Sequence, residues 1–436
     1  MEPNTPRTQL GWRLKNFING AGFKKYSRST GWSLGTRIIS LVISFFVTLY
    51  MVRYLGPENY GQLSYAISFV GIFSILATLG IDTVLYRDLV KHPRQVNEYM
   101  GSALGLKLMA GVAATLLAIG GAIALSPKDI SFYLIVIISL TYIFNSFNII
   151  AYEFQSHVQQ KYPSLIALAT TVILNALKVA VFYFDKGIIY LSFILLLESL
   201  LYASLYIIFR QKKYGSILAW KFDRRIAVSI LKDSWPLLLT SVFAVIYTRI
   251  DQVMIKNMLD SESVGLYDAA VRLAEVWNFI PGIIASSLFP AIVNAKRTST
   301  ATYKKRVLAL SGSLIGLATV VAIPVSLLSG FIINLAYGPE YAASAGVLSI
   351  YTWASVCMAS SLAMHYFLIN ENRKGVLFCS SLLAMVVNIA LNLYMIPAYG
   401  INGAAVATLI SYTLLSFPLY YVFKIKPFEE PLNAKA

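Results

Sequence analysis

The chain has 436 residues, of which 57% are hydrophobic and 13% are charged, and its formal net charge is +16. Because soluble globular chains carry about 25% charged residues, this composition excludes an ordinary soluble domain and indicates a protein that crosses a membrane repeatedly. In a soluble protein the positive charge would point to nucleic acid. Here the basic residues lie almost wholly between apolar segments, where they favour anionic lipid headgroups. We therefore expect a lipid bilayer and no nucleic acid as partner.

Apolar windows of about 20 residues, the length that crosses a bilayer, recur along the whole chain. They lie at 31–52, 64–85, 101–125, 131–152, 163–184, 188–209, 236–257, 265–290, 307–333, 343–369, 375–397 and 403–423. We predict an all-α membrane protein with about 12 transmembrane helices. The longest polar interval, 210–235, separates a first half at residues 1–212 from a second half at residues 213–436.

Lys and Arg are distributed unevenly between the two sides of these spans. Alternate gaps and both terminal segments contain 27 of them, whereas the other gaps contain only Arg53, Lys128, Lys186 and Lys256. Since basic loops stay in the cytoplasm, both termini are predicted to be cytoplasmic, and the chain to be a multi-pass protein of the cell membrane. The N-terminal segment shows no signal-peptide cleavage pattern, so the first span is expected to remain as an anchor.

A weak internal repeat supports two halves. Residues 55–61 and 259–265 share Leu, Glu and Gly at the same spacing, and each segment follows the first span of its half. Both halves start in the cytoplasm, so the repeat is parallel. Transporters built from repeats bind substrate between the halves and rock around it. We expect two six-helix bundles around a central cavity.

Charged residues inside the spans are the candidate functional residues. At about 1.5 Å per residue, Arg249 and Arg272 lie roughly 12 Å in from the same membrane face. Each costs a few kcal/mol there unless it faces protein or water. Arginine pairs well with phosphate, because its planar guanidinium donates two parallel hydrogen bonds. We predict that both arginines bind an anionic substrate in a cavity, with Lys178 of the fifth span facing them.

An alternative applies to Arg272. Asp268, Arg272 and Glu275 lie at positions i, i+4 and i+7 of one helical face, so they are equally compatible with a structural ladder of charges. Arg249 and Asp251 are two residues apart and point in different directions, which favours a cavity-lining role for Arg249.

Several charged side chains are candidates for a gate or for ion coupling. Arg37 and Asp82 lie near the cytoplasmic ends of adjacent spans and could close an inner gate, or could instead extend towards the interface. Glu198, near the middle of the sixth span, is a candidate for proton or sodium coupling or a structural partner of Lys178. The full set is Arg37, Asp82, Glu198, Asp251, Asp268 and Glu275.

Motifs of the common enzyme classes are absent from the sequence. It contains no GxxxxGK[ST], HExxH, GxSxG or paired CxxC pattern. The three histidines are dispersed, and the two cysteines lie in apolar segments. We therefore expect no catalytic activity, no metal site and no cofactor, with coupling to a proton or sodium gradient as the energy source.

Four loose motifs, in this order and spacing, carry a family resemblance. They are residues 53–61, residues 247–252 together with 264–270, Tyr337-Gly338-Pro339-Glu340-Tyr341, and residues 397–408. With them the chain resembles, over nearly its whole length, the O-antigen-type flippases. These form the polysaccharide-biosynthesis branch of the multidrug/oligosaccharidyl-lipid/polysaccharide exporter superfamily. The resemblance implies transport of a polyprenyl-(pyro)phosphate-linked oligosaccharide to the outer leaflet by alternating access, with glycan polymerases or transferases as further partners.

Other functions remain open at this level. A cation-coupled multidrug exporter shares the fold, although basic cavity candidates favour an anionic cargo. A membrane enzyme acting on lipid-linked sugars would need a larger extramembrane loop than the outer loops of about a dozen residues. A scaffold for polysaccharide assembly would leave the intramembrane arginines unexplained.

Overall fold

The computed structural model describes residues 21–125, 129–371 and 373–424, and every regular element in these ranges is helical. Within them, nine segments are long and apolar enough to cross a membrane, which confirms an all-α, multi-span protein. Lys128 and the basic residues of the terminal segments 1–20 and 425–436 lie outside the described residues. The number of 12 spans and the cytoplasmic termini therefore stay predictions.

The helices follow one another with short connections. They are α1 Ala21–Thr78, α2 Ile81–Lys91, α3 Val96–Leu125, α4 Ile130–Ser139, α5 Thr141–Asn145, α6 Ile149–Ser156, α7 Lys161–Tyr183, α8 Ile188–Tyr214, α9 Arg224–Met258, α10 Ser261–Glu275, α11 Phe279–Thr298, α12 Thr300–Leu327, α13 Ser329–Tyr337, α14 Ser344–Asn370 and α15 Lys374–Lys424. Short 3₁₀ turns lie at Ser146–Asn148, Ile217–Ala219 and Pro339–Tyr341.

Two of the helices are longer than one membrane crossing and contain a sharp break. In α1 the break is Gly56, with φ 69° and ψ 168°, directly before Pro57. Glycine adopts this conformation without steric cost, and proline removes the next backbone donor. In α15 the break is Gly400, with φ 59° and ψ −142°. The helix α15 thus contains two of the predicted spans, and α1 contains the first span and most of the second.

Other predicted spans are less regular than the sequence suggested. The span at 64–85 is interrupted at Leu79 and Gly80, both with positive φ, where Gly80 packs against the backbone of Leu238. The span at 131–152 is divided among α4, α5 and α6. There Thr141 and Ser146 hydroxyls donate to carbonyls three or four residues earlier, which competes with regular helix formation.

The chain forms two compact units. The first consists of residues up to Met51 and of Phe73–Leu238, and the second of Val52–Ile72 and residues from Leu239 onwards. Both α1 and α9 therefore contribute to both units. The predicted halves, 1–212 and 213–436, differ from these compact units at the segment 52–72 and at the position of the boundary. Whether these halves move as bodies during transport stays a prediction.

Each unit has its own buried core. In the first unit, α2, α3, α6 and α8 pack around Ile81, Leu85, Met100 and Phe154. The second core lies among α11, α12 and α14 and is rich in alanine, including Ala285, Ala318 and Ala363. Lipid is as apolar as these side chains, so close packing of small residues, rather than exclusion of water, holds such helices together.

Candidate functional site

The second unit contains a buried polar cluster built on the hairpin of α9 and α10. The Asp260 carboxylate accepts the backbone N–H of Ser263 at 2.7 Å and so caps the N-terminus of α10. The hairpin places Asp251 opposite Tyr267 and Gln252 opposite Asp268. Two of the predicted gate or coupling carboxylates therefore lie in one cluster.

Asp268 is the most heavily bonded carboxylate of this cluster. Its side chain is 3% exposed. It accepts the hydroxyls of Tyr60 and Ser64, Gln252 Nε2 at 2.6 Å, and Arg272 Nε at 2.7 Å. An ionised carboxylate offers about four acceptor positions, so Asp268 is saturated by these donors.

The bonds to Asp268 involve the internal repeat seen in the sequence. Gly61 and Gly265 are equivalent positions of the repeat, as are Pro57 and Ser261. A Cβ atom on Gly61 would overlap the Ser261 carbonyl oxygen, and one on Gly265 would overlap the Pro57 carbonyl oxygen. Repeat-equivalent backbones thus touch reciprocally, as in a two-fold symmetric contact. Ser64 and Asp268, three residues further along, are also equivalent positions, and the Ser64 hydroxyl donates to the Asp268 carboxylate.

Further bonds attach the segment 52–72 to the rest of the second unit. Tyr341 Oη donates to the Val52 carbonyl oxygen at 2.7 Å, and Arg53 lies beside Gly338, whose φ is 95°. Burial raises the pKa of the Tyr341 phenol, which therefore stays a protonated donor. The motifs at 53–61 and 337–341 that carried the family resemblance are thus neighbours in space.

The predicted cationic residues of this unit are not fully covered by protein. Arg272 is bonded to Asp268, yet 37% of its side chain is exposed. Its guanidinium carbon lies 5.9 Å from the centre of the Tyr60 ring. Arg249 is exposed, packs beside Gly71 and interacts electrostatically with Glu275. Part of each arginine side chain is therefore accessible at the surface of the protein.

The structure contains one of the two pairings of the predicted charge ladder. Asp268 and Arg272 form the i, i+4 ion pair. Glu275 accepts a hydrogen bond from Tyr351 Oη at 2.9 Å and interacts with Arg272 electrostatically, without an ion pair between them among the described residues. Which of these side chains contact a substrate stays a prediction.

Asp251 lies in a different environment, bonded by neutral donors. It is 5% exposed and accepts Tyr267 Oη at 2.8 Å, Asn392 Nδ2 at 2.7 Å and Thr408 Oγ1 at 2.5 Å. Asn388 extends the cluster through a 3.2 Å bond from Asn392. The Asn392 Oδ1 atom is buried with no hydrogen-bond partner among the described residues. The site thus concentrates oxygen atoms around one carboxylate.

In the first unit, the structure does not join Arg37 to Asp82, and their role as an inner gate stays a prediction. Asp82 accepts the ammonium of Lys107, whose side chain is 5% exposed, and Arg37 is exposed. A buried ammonium needs a counter-charge more than an exposed guanidinium does, and α3 places Lys107 next to α2. The inner-gate role of Arg37 and Asp82 therefore loses its salt bridge.

Lys178 and Glu198 lie on the neighbouring helices α7 and α8 and interact electrostatically. This is the structural partnership considered for Glu198. Whether Glu198 also couples ions, and whether Lys178 contacts a substrate, stay predictions.

The sequence analysis missed a buried ion pair in the first unit. Arg210 and Glu153 are each 2% exposed and are joined by bonds of 3.2 and 3.4 Å. Arg210 stands at the start of the polar interval 210–235, and nothing in its local pattern distinguishes it from the other basic residues there. The partnership of Ser64 with Asp268 could have been found, because the two residues have the offset of 204 that relates the repeat segments.

Comparison with known proteins agrees with this architecture. A model of the family described as "Polysaccharide biosynthesis protein" matches residues 27–296. The probable flippase AglR of Haloferax volcanii is 28% identical over 177 residues, which are 38% of this chain and 36% of that protein. The capsular polysaccharide biosynthesis protein CapF of Staphylococcus aureus is 23% identical over 398 residues, 89% of this chain and 96% of CapF. The chain thus aligns with little more than a third of AglR and with nearly all of CapF.

Solved structures of two kinds share the fold. An inward-facing multidrug resistance MATE family transporter superposes with a TM-score of 0.74 at 13% identity, over 88% of this chain and 94% of that one. The lipid II flippase MurJ, in an inward closed conformation, superposes with a TM-score of 0.69 at 17% identity, over 91% and 88%. At these identities the likeness establishes the multi-span helical fold alone.

Proposed function

Because this chain belongs to the polysaccharide biosynthesis protein family, we propose that it is a flippase. Its cargo is an oligosaccharide linked to a polyprenyl phosphate or pyrophosphate, and it moves this cargo from the cytoplasmic to the outer leaflet of the cell membrane. It acts as a transporter by alternating access and not as an enzyme. Glycan polymerases or transferases of the same assembly route are its expected partners.

The observation that carries this proposal is that Arg272 is partly exposed although it is bonded to Asp268. The guanidinium uses Nε for Asp268 while more than a third of the side chain stays exposed. Arginine has five N–H donors, so the two terminal nitrogens can donate in parallel to phosphate oxygens. The bond to Asp268 fixes the orientation of the guanidinium, and Arg249 supplies a second cation of the same unit.

The cargo has three parts with different requirements. Phosphate and sugar cannot cross hydrocarbon unaided, since a desolvated charge costs several kcal/mol. The protein therefore needs cations for the phosphate and polar groups for the sugar, and the polyprenyl chain can stay in the bilayer. A cationic drug, the cargo of the multidrug alternative, would be repelled by Arg249 and Arg272.

The test is flipping of a fluorescent polyprenyl-pyrophosphate-linked oligosaccharide in proteoliposomes. Arg272→Ala and Arg249→Ala should each reduce the rate at equal reconstituted protein, by about tenfold for Arg272, since a hydrogen bond to a charged group contributes roughly 1.5–3 kcal/mol. Lys212→Ala, at the end of α8, is the matched control for lost positive charge. No flipping by the wild type, together with efflux of organic cations, would establish the multidrug alternative.

We further propose that Asp251 couples transport to a proton or sodium gradient. A carboxylate held by neutral donors can bind a proton, or can bind sodium together with Thr408 and Asn392 oxygens, because hard cations prefer oxygen ligands. Asp251→Asn keeps the size and removes the charge. We expect this variant to lose the dependence of flipping on the ion gradient, and imposed pH and sodium gradients identify the ion. Unchanged gradient dependence would exclude Asp251.

A further inference from the structure

A partly open cavity of about 380 Å³ lies within the second unit. Its lining residues differ from those of the acidic cluster. Its walls come from α9, α11, α14 and α15. The volume falls within the range of small-molecule pockets, about 300–1,000 Å³. Among the lining side chains that the structure describes, none is Asp, Glu, Lys or Arg. The cavity therefore suits an uncharged part of a ligand.

The lining combines an aromatic ring with several neutral polar groups. These polar groups are the amide of Asn278, the imidazole of His365 and the hydroxyls of Ser361, Ser380 and Ser381, and the ring is that of Tyr247. Methionine, leucine and alanine side chains make up most of the remainder. A ligand with hydroxyl groups can form hydrogen bonds with these polar groups, whereas a wholly apolar ligand cannot.

The hydrogen bonds inside the cavity leave acceptor capacity for a ligand. Ser361 Oγ donates to the Met358 carbonyl oxygen at 2.8 Å, and Ser380 Oγ donates to the Leu377 carbonyl oxygen at 3.0 Å. A hydroxyl that donates within its own helix still presents two lone pairs. These oxygens can accept from hydroxyl groups of a ligand.

Tyr247 is held in position for stacking. Its ring packs edge-on against Tyr412, with the ring centres 5.7 Å apart. A phenol ring fixed in this way offers its face to the apolar C–H face of a sugar ring, while the sugar hydroxyls reach the polar groups. Tyr247 also lies two residues from Arg249 on α9.

We propose that this cavity binds a neutral sugar unit of the lipid-linked cargo. The inference rests on the proposed function and adds a division of roles within the second unit. Arg249 and Arg272 bind the phosphate, and the cavity binds a sugar through Tyr247, Asn278, His365 and the serines. The cavity is thereby a determinant of which glycan is transported.

The experiment measures protection of an introduced cysteine by two probes that differ only in the sugar. The two native cysteines are first removed by Cys357→Ala and Cys379→Ala, and Ser381→Cys is made in this cysteine-free background. Gly375→Cys, at the exposed start of α15, is the control in the same background. The probes are farnesyl pyrophosphoryl N-acetylglucosamine and farnesyl pyrophosphate. At about ten times its Kd, the sugar-bearing probe should slow maleimide labelling at position 381 about tenfold, by simple occupancy. The sugar-free probe should not.

Three outcomes would overturn the inference. Equal protection by both probes would assign the cavity to the farnesyl chain or the pyrophosphate. Protection at both 381 and 375 would indicate a global change of conformation. No protection, in a wild type that flips the sugar-bearing lipid in proteoliposomes, would exclude the cavity and leave the proposed function intact. Absence of flipping by the wild type would overturn the function itself.

A second variant tests the role in transport. Ser381→Trp fills the cavity and should lower the rate for the sugar-bearing lipid by about tenfold, comparable to the loss of a well-placed ligand contact. Gly375→Trp, of the same size on the same helix, should transport normally. Equal rates for both variants would contradict a sugar site, provided that both are recovered in equal amounts from the membrane.

Discussion

Each compact unit contains a buried carboxylate paired with an arginine, but the two arginines are used differently. Arg210 bonds Glu153 through two nitrogens, donates Nη1 to the Gly215 carbonyl oxygen at 2.5 Å and lies 4.9 Å from the centre of the Trp220 ring. It is 2% exposed, whereas Arg272 is 37% exposed. The Arg210 guanidinium is fully bonded to protein groups. The Arg272 guanidinium is oriented by its bond to Asp268 and remains partly exposed, so a ligand can reach it.

This difference separates a structural charge from a functional one. A charged side chain within the bilayer is expensive in either role, so its presence alone identifies neither. Exposure of the arginine in each pair is what distinguishes them. Four changes would break or sharpen the comparison.

The largest expected effect is from Glu153→Gln. It leaves the Arg210 guanidinium buried without a counter-charge, which costs about 3–5 kcal/mol of the free energy of unfolding. Thermal unfolding of the purified protein in detergent measures the loss. The double variant Glu153→Gln with Arg210→Met removes both charges and should be less destabilised than the single one. If the double variant is the weaker, the pair does not act through charge compensation.

Next is Gly265→Ala, which disturbs the reciprocal contact with Gly61. Its Cβ would overlap the Pro57 carbonyl oxygen, so the backbones must move apart at a cost of about 1–3 kcal/mol. We expect faster hydrogen exchange in peptides that cover residues 57–64 and 261–268. Gly312→Ala, where the added Cβ has no heavy atom within 4 Å, is the control and should be neutral or stabilising. Unaltered exchange in Gly265→Ala would mean that this contact is not closely packed.

The all-α, multi-span class could be predicted from the sequence, whereas the number of spans, the two halves and the roles of the site residues stay predictions. Hydropathy identified the helical segments, because long apolar runs have few alternatives in a bilayer. It did not show the breaks at Leu79 and within 131–152, which depend on local hydrogen bonds and on close backbone approach. Charge inside spans drew attention to Asp251, Asp268 and Arg272, which the structure places on the hairpin of α9 and α10, and their roles in transport stay predictions.

The partners of those charges were harder to predict. Spacing along one helix found the bond between Asp268 and Arg272. Partners on other helices, such as Tyr60 for Asp268, Asn392 for Asp251 and Lys107 for Asp82, depend on tertiary packing that periodicity does not encode.

Arg272→Lys tests the partly exposed arginine of the two pairs. Lysine keeps the charge but lacks the planar group that bonds Asp268 and a phosphate at once, so we expect about tenfold slower flipping with little change in stability. Arg210→Lys should show the converse, lower stability with normal flipping per folded molecule. Flipping rates normalised to folded protein compare the two. If both variants lose the same property, the distinction between the two arginines fails.

The smallest effect is expected from Asp82→Asn. The pair of Asp82 with Lys107 is intermediate, since Lys107 is 5% exposed and Asp82 is 34% exposed. The change leaves the Lys107 ammonium buried, but the Asn oxygen can still accept its hydrogen bond and the partly exposed site of the carboxylate lets solvent screen the charge. The cost should therefore be only about 1 kcal/mol of stability. Thermal unfolding of Asp82→Asn and Glu153→Gln under the same conditions compares their losses of stability directly. A loss as large as that of Glu153→Gln would show that exposure does not rank these pairs.

The segment 52–72 also determines when the second unit can be completed during synthesis. Tyr60 and its acceptor Asp268 are 208 residues apart in the chain. At about 5–20 residues per second, a ribosome needs roughly 10–40 s to make the intervening chain. For that time the hydroxyls of Tyr60 and Ser64 are without their carboxylate. The second unit therefore cannot be completed until α10 has been synthesised.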